Sequence, residues 1–183
     1  MDVLGSARFI PKVSGRPHLV HPLDGRWGGL HPRDLTGFVG ELASAIDTAS
    51  VDFVLGFPEG GLVPAFAFAQ AIDRPLILST RLRLQGEPVI TFEEPHSPQG
   101  TSHYLHGVRA GSTVIIIEDE ITTGRTTVNA VRALRAAGVR VDHVGVLLAV
   151  DTEALWQRMA DEGIAMHVQV RVPPGHGGPS AGT

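Results

Sequence analysis

The chain has 183 residues, enough for one domain with a sizeable core. Its 43% hydrophobic and 19% charged residues are ordinary for a globular protein, and a formal net charge of −4 gives no electrostatic reason to expect nucleic-acid binding. The absence of cysteine excludes disulfides, thiolate metal sites and a cysteine nucleophile. No apolar run approaches the ~18 residues of a membrane span and no signal-peptide core is visible, so we expect a cytoplasmic protein with no membrane partner.

Predicted helices and strands alternate along most of the chain. Residues 1–32 are rich in Gly, Pro and His without periodicity, which predicts an irregular arm or small cap. Thereafter the apolar spacing predicts helices over 35–46, 62–72, 125–137 and from Thr152, and strands over 51–55, 75–79, 89–92, 114–117, 143–150 and 165–170. The tail, 173–183, is expected to be disordered. This alternation predicts an α/β fold with a doubly wound, Rossmann-like parallel sheet and ligands at the carboxyl ends of its strands.

The segment 114–127, VIIIEDEITTGRTT, carries most of the functional information. A buried strand runs into two carboxylates, Glu118 and Asp119, and then into a loop of Thr and Gly that opens a helix. A helix start offers free N–H groups and a positive dipole end to a phosphate, and carboxylates accept hydrogen bonds from hydroxyls or face hydrated Mg²⁺. The segment therefore favours a ligand that carries a phosphate and a polyol. The alternative is an ordinary loop with solvated carboxylates and a capping Thr.

The same segment resembles the signature of the type I phosphoribosyltransferases, in which an apolar strand runs into an acidic pair and a TGxT loop. Residues 123–126, TGRT, supply that loop. The departures are Glu118 as the first acid, Glu120 where a small or apolar residue is common, and Arg125 where Gly is frequent. The resemblance covers about residues 50–150. It implies a single domain over 1–172, with a small hood from 1–32 and about 151–172, and a homodimer.

The resemblance also implies the donor and the roles of the residues around it. The donor is 5-phosphoribosyl-1-pyrophosphate (PRPP), used with Mg²⁺. Its 5′-phosphate is expected on the loop, and its ribose hydroxyls on Glu118 and Asp119, directly or through Mg²⁺ or water. With Arg81, these two acids form the expected catalytic set. The expected phosphate-binding residues are Thr122, Thr123, Gly124, Arg125, Thr126 and Thr127.

Two further segments fall where this family binds pyrophosphate. The turn 56–61 contains Glu59, Gly60 and Gly61, and its glycines would let the backbone approach a diphosphate. Some family members have a non-proline cis peptide here, which a sequence does not reveal. Arg81 and Arg83 follow the second core strand, where guanidinium groups would bind the leaving group. The alternatives are a flexible turn and a solvated basic strand end.

The polar segment 93–107 falls where the family has a flexible catalytic loop. Its expected contacts with the ligand are His96, Ser102, His103 and Tyr104. The alternatives are a polar surface loop and a histidine metal site, although no acidic partner has convincing spacing for the latter. Trp27 and the stretch 18–21 would either stack on a planar acceptor or pack within the hood.

The expected function is Mg²⁺-dependent transfer of the phosphoribosyl group of PRPP to a nitrogen of a nucleobase or related small molecule, with release of pyrophosphate. A natural-product acceptor is a variant of this function. A PRPP- or nucleotide-sensing regulator without turnover, and an enzyme that acts on a finished nucleotide, are the other possibilities. The chain contains neither a GxGxxG nor a Walker motif, which argues against the commonest nucleotide-binding rivals.

Overall fold

A computed structural model describes residues 7–11, 17–24, 30–85, 88–95 and 101–174. Short 3-10 turns lie at Pro22–Asp24, Pro32–Leu35 and Thr48–Ser50. The elements in chain order are β1 Arg8–Pro11, β2 Pro17–Val20, α1 Thr36–Ala45, β3 Phe53–Gly56, α2 Leu62–Ile72, β4 Leu76–Leu78, β5 Val89–Glu94, β6 Thr101–His106, β7 Val114–Ile121, α3 Arg125–Ala136, β8 His143–Val150, α4 Glu153–Asp161 and β9 Ala165–Val172.

The central sheet is parallel and has the strand order β4-β3-β7-β8-β9. One core cluster packs α3 and α4 on one face, and a second packs α1 and α2 on the other. This confirms the predicted doubly wound α/β fold. From β3 the chain continues to β4 on one side of the sheet and then to β7 and β8 on the other side, so the direction of strand addition reverses between β3 and β7. In such sheets ligands bind beyond the carboxyl ends of the two strands where this reversal occurs.

Strand β7 is longer than the sequence predicts. The prediction ended it at residue 117, but its pairing with β8 continues from Glu118 opposite Val146 to Ile121 opposite Ala149. Strand β8, which is buried from its second residue onward, extends the ladder beyond the apolar run because its backbone supplies hydrogen-bond partners there. The acidic residues 118–120 therefore lie in the last part of strand β7 and not in a loop. Hydrogen bonds of the sheet fix their backbone.

The prediction of a long polar connection over 93–107 is wrong for residues 101–106. These residues form β6, which pairs antiparallel with β5. Thr80 and Tyr104 exchange two backbone hydrogen bonds of 2.9 and 2.8 Å, and Asn129 Nδ2 on α3 donates to the carbonyl of Glu93 at 2.9 Å. The β5–β6 hairpin is thus attached both to the chain after β4 and to α3.

The structure places the two segments expected to form a hood in different parts of the fold. Strands β1 and β2 pair antiparallel and form a cap hairpin where an irregular arm was expected. Strand β9 pairs with β8 as the edge of the central sheet, so the expectation that 151–172 forms hood is wrong for that strand. Thr152 caps α4 as predicted, its Oγ1 accepting from the N–H of Leu155 at 3.3 Å. Beyond Pro174, the tail expected to be disordered lies outside the described residues.

Helix α2 has two apolar faces. Pro64, Ala65, Phe68 and Ala69 are buried in the core, whereas Leu62, Val63 and Phe66 are exposed. Leu78, Leu82 and Leu84 are exposed as well. Across the described ranges, no helix combines the length and the hydropathy needed to cross a membrane.

Candidate functional site

A cavity of about 650 Å³ opens at the carboxyl ends of the parallel strands. Its walls come from the cap hairpin, the turn after β3, the β5–β6 hairpin, the end of β7 with the following loop, the end of β8 and the chain after β9. The lining residues are Phe9, Leu19, Phe57, Pro58, Glu59, Gly60, Glu94, His103, Glu118, Asp119, Glu120, Ile121, Thr122, Thr123, Gly124, Arg125, Thr126, Thr127, Val150 and Pro174.

All six residues predicted to bind a phosphate, 122–127, line one end of this cavity, here called the phosphate end. Gly124 caps α3 with φ +70°, and a Cβ there would lie 2.8 Å from Leu155 Cδ1, so both conformation and space require glycine. Arg158 of α4 donates a hydrogen bond to the carbonyl of Thr123, which fixes the loop against that helix. In the first turn of α3, the N–H of Arg125 donates to Thr123 Oγ1 at 3.5 Å, and the next N–H groups have no intrahelical partner and can face an anion.

The glycine turn after β3 packs directly against the acidic end of β7. A Cβ on Gly60 would lie 1.8 Å from Asp119 Oδ2, and one on Gly61 would lie 2.9 Å from Glu118 Oε2. The peptide between Pro58 and Glu59 is cis. Glu59 and Gly60 line the cavity, whereas Gly61 lies behind them against Glu118. The missing side chains of the glycines therefore make room for the two carboxylates.

Glu118 is the most buried of these acids, with 8% of its surface exposed. Burial raises its pKa well above the usual range, and the nearby charges of Asp119, Glu120 and Glu94 raise the pKa further. A cation or a hydrogen-bond donor placed in the cavity would favour the ionised form of Glu118.

His21, which follows β2 of the cap hairpin, contacts two of the carboxylates. Its Nε2 lies 3.3 Å from Asp119 Oδ2 and 3.4 Å from Glu120 Oε2, and the side chain is 1% exposed. Burial lowers the pKa of His21, but the close contacts with Asp119 and Glu120 outweigh that effect and raise the pKa to about 9. The raised pKa favours the protonated imidazole, which would offset part of the negative charge, whereas the 3.3 Å contact from the N–H of Leu23 to Nδ1 suits the neutral ring.

These carboxylate contacts are not apparent in the sequence, which indicated only that 18–21 packs in the hood or stacks on an acceptor. A signal exists in hindsight: a His next to the apolar Leu19 and Val20 is buried with them, and a buried ionisable group needs a partner. The side chains of His18 and Trp27 lie outside the described residues.

The structure does not bring the two predicted arginines to the cavity. Arg81 is 62% exposed and its Nη2 lies 3.8 Å from Glu94 Oε2, while Arg83 is exposed. Neither of them lines the cavity. Glu94, in contrast, lines it and was not among the predicted site residues. Among the described lining residues, only Arg125 carries a guanidinium group.

The predicted loop contacts are also corrected. His103 lies in β6, buried, with Nδ1 3.0 Å from Ser79 Oγ and Nε2 3.3 Å from Glu94 Oε2, and its ring stacks on Phe92 at a centroid distance of 5.0 Å. It lines the cavity as a fixed wall residue. Ser102 Oγ donates to Glu93 Oε1 at 2.6 Å and Tyr104 pairs with Thr80, and neither lines the cavity. His96 lies outside the described residues.

Comparison with known proteins agrees with this geometry. A family model described as phosphoribosyl transferase matches residues 14–174. The chain is 28% identical to the hypoxanthine/guanine phosphoribosyltransferase of Methanopyrus kandleri, over 74% of this chain and 73% of that one. It is 30% identical to HGPRTase-like protein 3 of Haloterrigena turkmenica, over 81% of each chain. It is 32% identical to the orotate phosphoribosyltransferase of Cenarchaeum symbiosum, over 75% of this chain and 64% of that one.

The fold is shared with solved structures of the same class. An adenine phosphoribosyltransferase of Giardia lamblia, solved with 9-deazaadenine, superposes with a TM-score of 0.74 at 16% identity, covering 93% of this chain and 96% of that one. The adenine phosphoribosyltransferase of Rhodothermus marinus gives 0.73 at 18% identity, with the same coverage. The chain belongs to the phosphoribosyl transferase family, and it is an enzyme of that class.

Proposed function

We propose that the protein transfers the 5-phosphoribosyl group of PRPP to a nitrogen of a nucleobase or related small heterocycle, with release of pyrophosphate and with Mg²⁺ as the cofactor. One observation carries the proposal: a single cavity joins the loop 122–127, the glycine turn after β3 and the acidic end of β7. Relatives named as purine and orotate phosphoribosyltransferases support the same reaction class.

Each wall of the cavity has a role in this proposal. The phosphate end holds the 5′-phosphate through backbone N–H groups and Thr hydroxyls. Asp119 and Glu118 accept hydrogen bonds from the ribose hydroxyls. The diphosphate lies against the backbone of Glu59 and Gly60, which line the cavity. As the bond to pyrophosphate breaks, positive charge develops on the anomeric carbon, and the fixed carboxylates stabilise that charge.

The residues of the cavity fit Mg²⁺. Carboxylate oxygens are its preferred protein ligands, and Mg²⁺ is usually held by one or two carboxylates together with substrate phosphates. No group of three or more His, Asp or Glu side chains within the described ranges is arranged to hold a metal ion, as suits a site completed by the substrate. Glu118 and Asp119 would be its protein ligands, directly or through water or the ribose hydroxyls. When bound, Mg²⁺ would neutralise the diphosphate leaving group.

The proposed cofactor also suits the charge of the site. Among the described residues that line the cavity, five carry a carboxyl group, Glu59, Glu94, Glu118, Asp119 and Glu120, and one carries a guanidinium, Arg125. A polyanionic donor therefore needs a counter-cation to enter. We expect PRPP binding to weaken strongly when divalent cations are removed.

Pyrophosphate release tests the proposal. The protein is incubated with PRPP, Mg²⁺ and a panel of bases, and release is measured with each component omitted in turn. Release that requires PRPP, Mg²⁺ and an acceptor supports transfer. Tight binding of PRPP without turnover would instead support the sensing alternative. If neither PRPP nor a nucleoside 5′-phosphate binds, the proposed function is wrong.

The expected homodimer stays a prediction. The exposed apolar side chains of α2, Leu62, Val63 and Phe66, form the surface at which we expect two chains to meet.

A further inference from the structure

Three polar side chains form a chain of hydrogen bonds in the wall of the cavity. Ser79, which follows β4, has its Oγ 3.0 Å from His103 Nδ1, and His103 Nε2 lies 3.3 Å from Glu94 Oε2. Ser79 and His103 are 3% and 2% exposed, and both His103 and Glu94 line the cavity. The chain of hydrogen bonds therefore runs from the interior of the protein to the cavity, and it joins the end of β4 to β6 and β5.

The chemistry of the three groups fixes the direction of these hydrogen bonds. An ionised carboxylate only accepts hydrogen bonds, so Nε2 of His103 carries a hydrogen and donates it to Glu94. In the neutral imidazole Nδ1 is then an acceptor, and the hydroxyl of Ser79 is its donor. The ring also stacks on Phe92 at a centroid distance of 5.0 Å, with 15° between the two planes. His103 is thus held at both ring nitrogens and on one face, and it holds one oxygen of Glu94.

Glu94 borders the part of the cavity that the proposed function assigns to the diphosphate. The ring of Phe57, the first residue of the turn after β3, lies 6.4 Å from the ring of His103, and both of these residues line the cavity. Burial and the neighbouring acids of β7 raise the pKa of Glu118, and the charge of Glu94 adds to this effect. Glu94 therefore lies beside the turn and within electrostatic reach of Glu118.

A carboxylate at this position repels a diphosphate, because both groups are negatively charged, but it attracts a cation. A cation that lies between Glu94 and Glu118 reduces the repulsion between the two carboxylates. The guanidinium of Arg81, 3.8 Å from Glu94 Oε2 and 62% exposed, is screened by solvent and neutralises Glu94 only in part. Mg²⁺ usually keeps several of its water molecules, so a carboxylate can bind the ion through water, which suits described residues that contain no ready-made set of three metal ligands.

We propose that Glu94 binds the Mg²⁺ that accompanies the diphosphate of the donor, through water of the ion, and that His103, held by Ser79, is the positioning residue that fixes the Glu94 carboxylate. This proposal rests on the proposed function and adds to its cation site a carboxylate from the β5–β6 hairpin. Glu94 selects the metal-bound diphosphate over the metal-free anion, because its charge attracts the first and repels the second.

Binding of pyrophosphate with and without Mg²⁺ tests the role of Glu94. Calorimetry measures the Kd of the protein for Mg²⁺–pyrophosphate and, in the presence of a chelator, for pyrophosphate alone. We expect Glu94→Gln, which keeps the size of the side chain and removes its charge, to raise the first Kd about 10-fold and not to raise the second. Glu93→Gln is the matched control, because Glu93 accepts a hydrogen bond from Ser102 and does not line the cavity, and it should change neither Kd.

A Glu94→Gln variant that binds Mg²⁺–pyrophosphate as the unsubstituted protein does, or that loses affinity equally for both forms, overturns the proposal and leaves the proposed function intact. Failure of the unsubstituted protein to bind either PRPP or Mg²⁺–pyrophosphate defeats the proposed function itself.

A double-substitution cycle tests whether His103 acts through Glu94. His103→Phe keeps an aromatic ring beside Phe92 and removes the hydrogen bond, and we expect it to raise the Kd for Mg²⁺–pyrophosphate about fivefold. In a protein that already carries Glu94→Gln, the same change should cost nothing further, because the carboxylate that His103 positions is absent. His103→Gln, whose amide can donate to Glu94, should restore part of the affinity. If His103→Phe does not fold, Ser79→Ala replaces it in the cycle. Additive losses assign His103 a purely structural role and overturn its part of the proposal.

Discussion

The phosphate end of the cavity is formed by six consecutive residues, 122–127, whereas the rest of the lining is assembled from segments far apart in sequence, among them the cap hairpin, the turn after β3 and the β5–β6 hairpin. The first is held by local geometry, namely the left-handed Gly124 and the start of α3. The second depends on contacts between segments far apart in sequence, such as His21 with Asp119 and Glu120. The first surface can therefore be recognised in one stretch of sequence, whereas the second cannot.

The largest expected effect on turnover is that of a substitution at Asp119, which lies against both His21 and the glycine turn. Asp119→Asn removes the charge that would stabilise the anomeric carbon, and we expect kcat to fall about 100- to 1000-fold with a much smaller change in the affinity for a nucleoside 5′-phosphate. Steady-state kinetics with binding calorimetry measures both. Asp142→Asn, the same change at an exposed residue outside the cavity, is the control. Equal losses in turnover and binding would contradict the assigned role.

The contacts of His21, next to the cap hairpin, with Asp119 and Glu120 predict that the stability of the fold depends on pH. The pKa of His21 is 6.5 when unperturbed and about 9 in the folded protein, so folding favours the protonated form. Its stabilising contribution is fully present below pH 6.5 and is lost as pH rises towards about 9. Denaturant unfolding without added divalent cations, from pH 6 to pH 10, measures this decline.

The raised pKa of Glu118 acts in the same direction, because the folded state again holds the extra proton. His21→Gln separates the two contributions, since it removes the component between pH 6.5 and about 9 and leaves that of Glu118. A variant that loses stability with the same slope as the unsubstituted protein across this window would show that His21 does not hold the cap through its charge.

A substitution in the glycine turn after β3 is expected to lower turnover less than one at Asp119. Gly60→Ala would place a Cβ 1.8 Å from Asp119 Oδ2, so either the turn or the carboxylate must move. We expect kcat/KM for PRPP to fall about 10- to 100-fold. Gly40→Ala is the matched control, because a Cβ there meets nothing within 4 Å and alanine stabilises a helix interior by about 0.5–1 kcal/mol. Normal kinetics in Gly60→Ala would show that the contact between the turn and Asp119 is dispensable.

The smallest effect is expected at the basic segment after β4. Arg81 is well exposed and its ion pair with Glu94 is long, and Arg83 does not line the cavity. Exposed ion pairs contribute at most about 1 kcal/mol. We expect Arg83→Gln to change the KM for PRPP by less than about twofold. A loss of tenfold or more would show that this segment reaches the diphosphate when the substrate is bound.

The difference between the contiguous loop 122–127 and the rest of the lining also explains which parts of the site the sequence predicts. The strand, acidic pair and Thr-rich loop of 114–127 are contiguous, so periodicity and turn chemistry identify them, and the predicted phosphate-binding residues all line the cavity. The end of β7 was misplaced because Glu118, Asp119 and Glu120 do not look like strand residues, and only their pairing with β8 makes them so.

The other differences between the sequence-based prediction and the structure have a similar cause. In β6, His103 and Leu105 point into the core between polar neighbours, and a short alternation with a histidine in it is a weak strand signal. Its identity as a strand depends on β5 and on Thr80, contacts that no local pattern encodes. The contacts of His21 with the carboxylates join residues about 100 positions apart and are equally invisible to periodicity.

Identification of the reaction products is the most direct test of the function proposed for the cavity. The protein is incubated with PRPP, Mg²⁺ and each base of the panel in turn, and the products are separated and identified by mass spectrometry. We expect a nucleoside 5′-phosphate whose new bond joins the anomeric carbon to a ring nitrogen, formed in equal amount to pyrophosphate, and about 100-fold less of both with Asp119→Asn. Ribose 5-phosphate with pyrophosphate and no nucleotide, from every base tested, would contradict transfer to a heterocyclic acceptor.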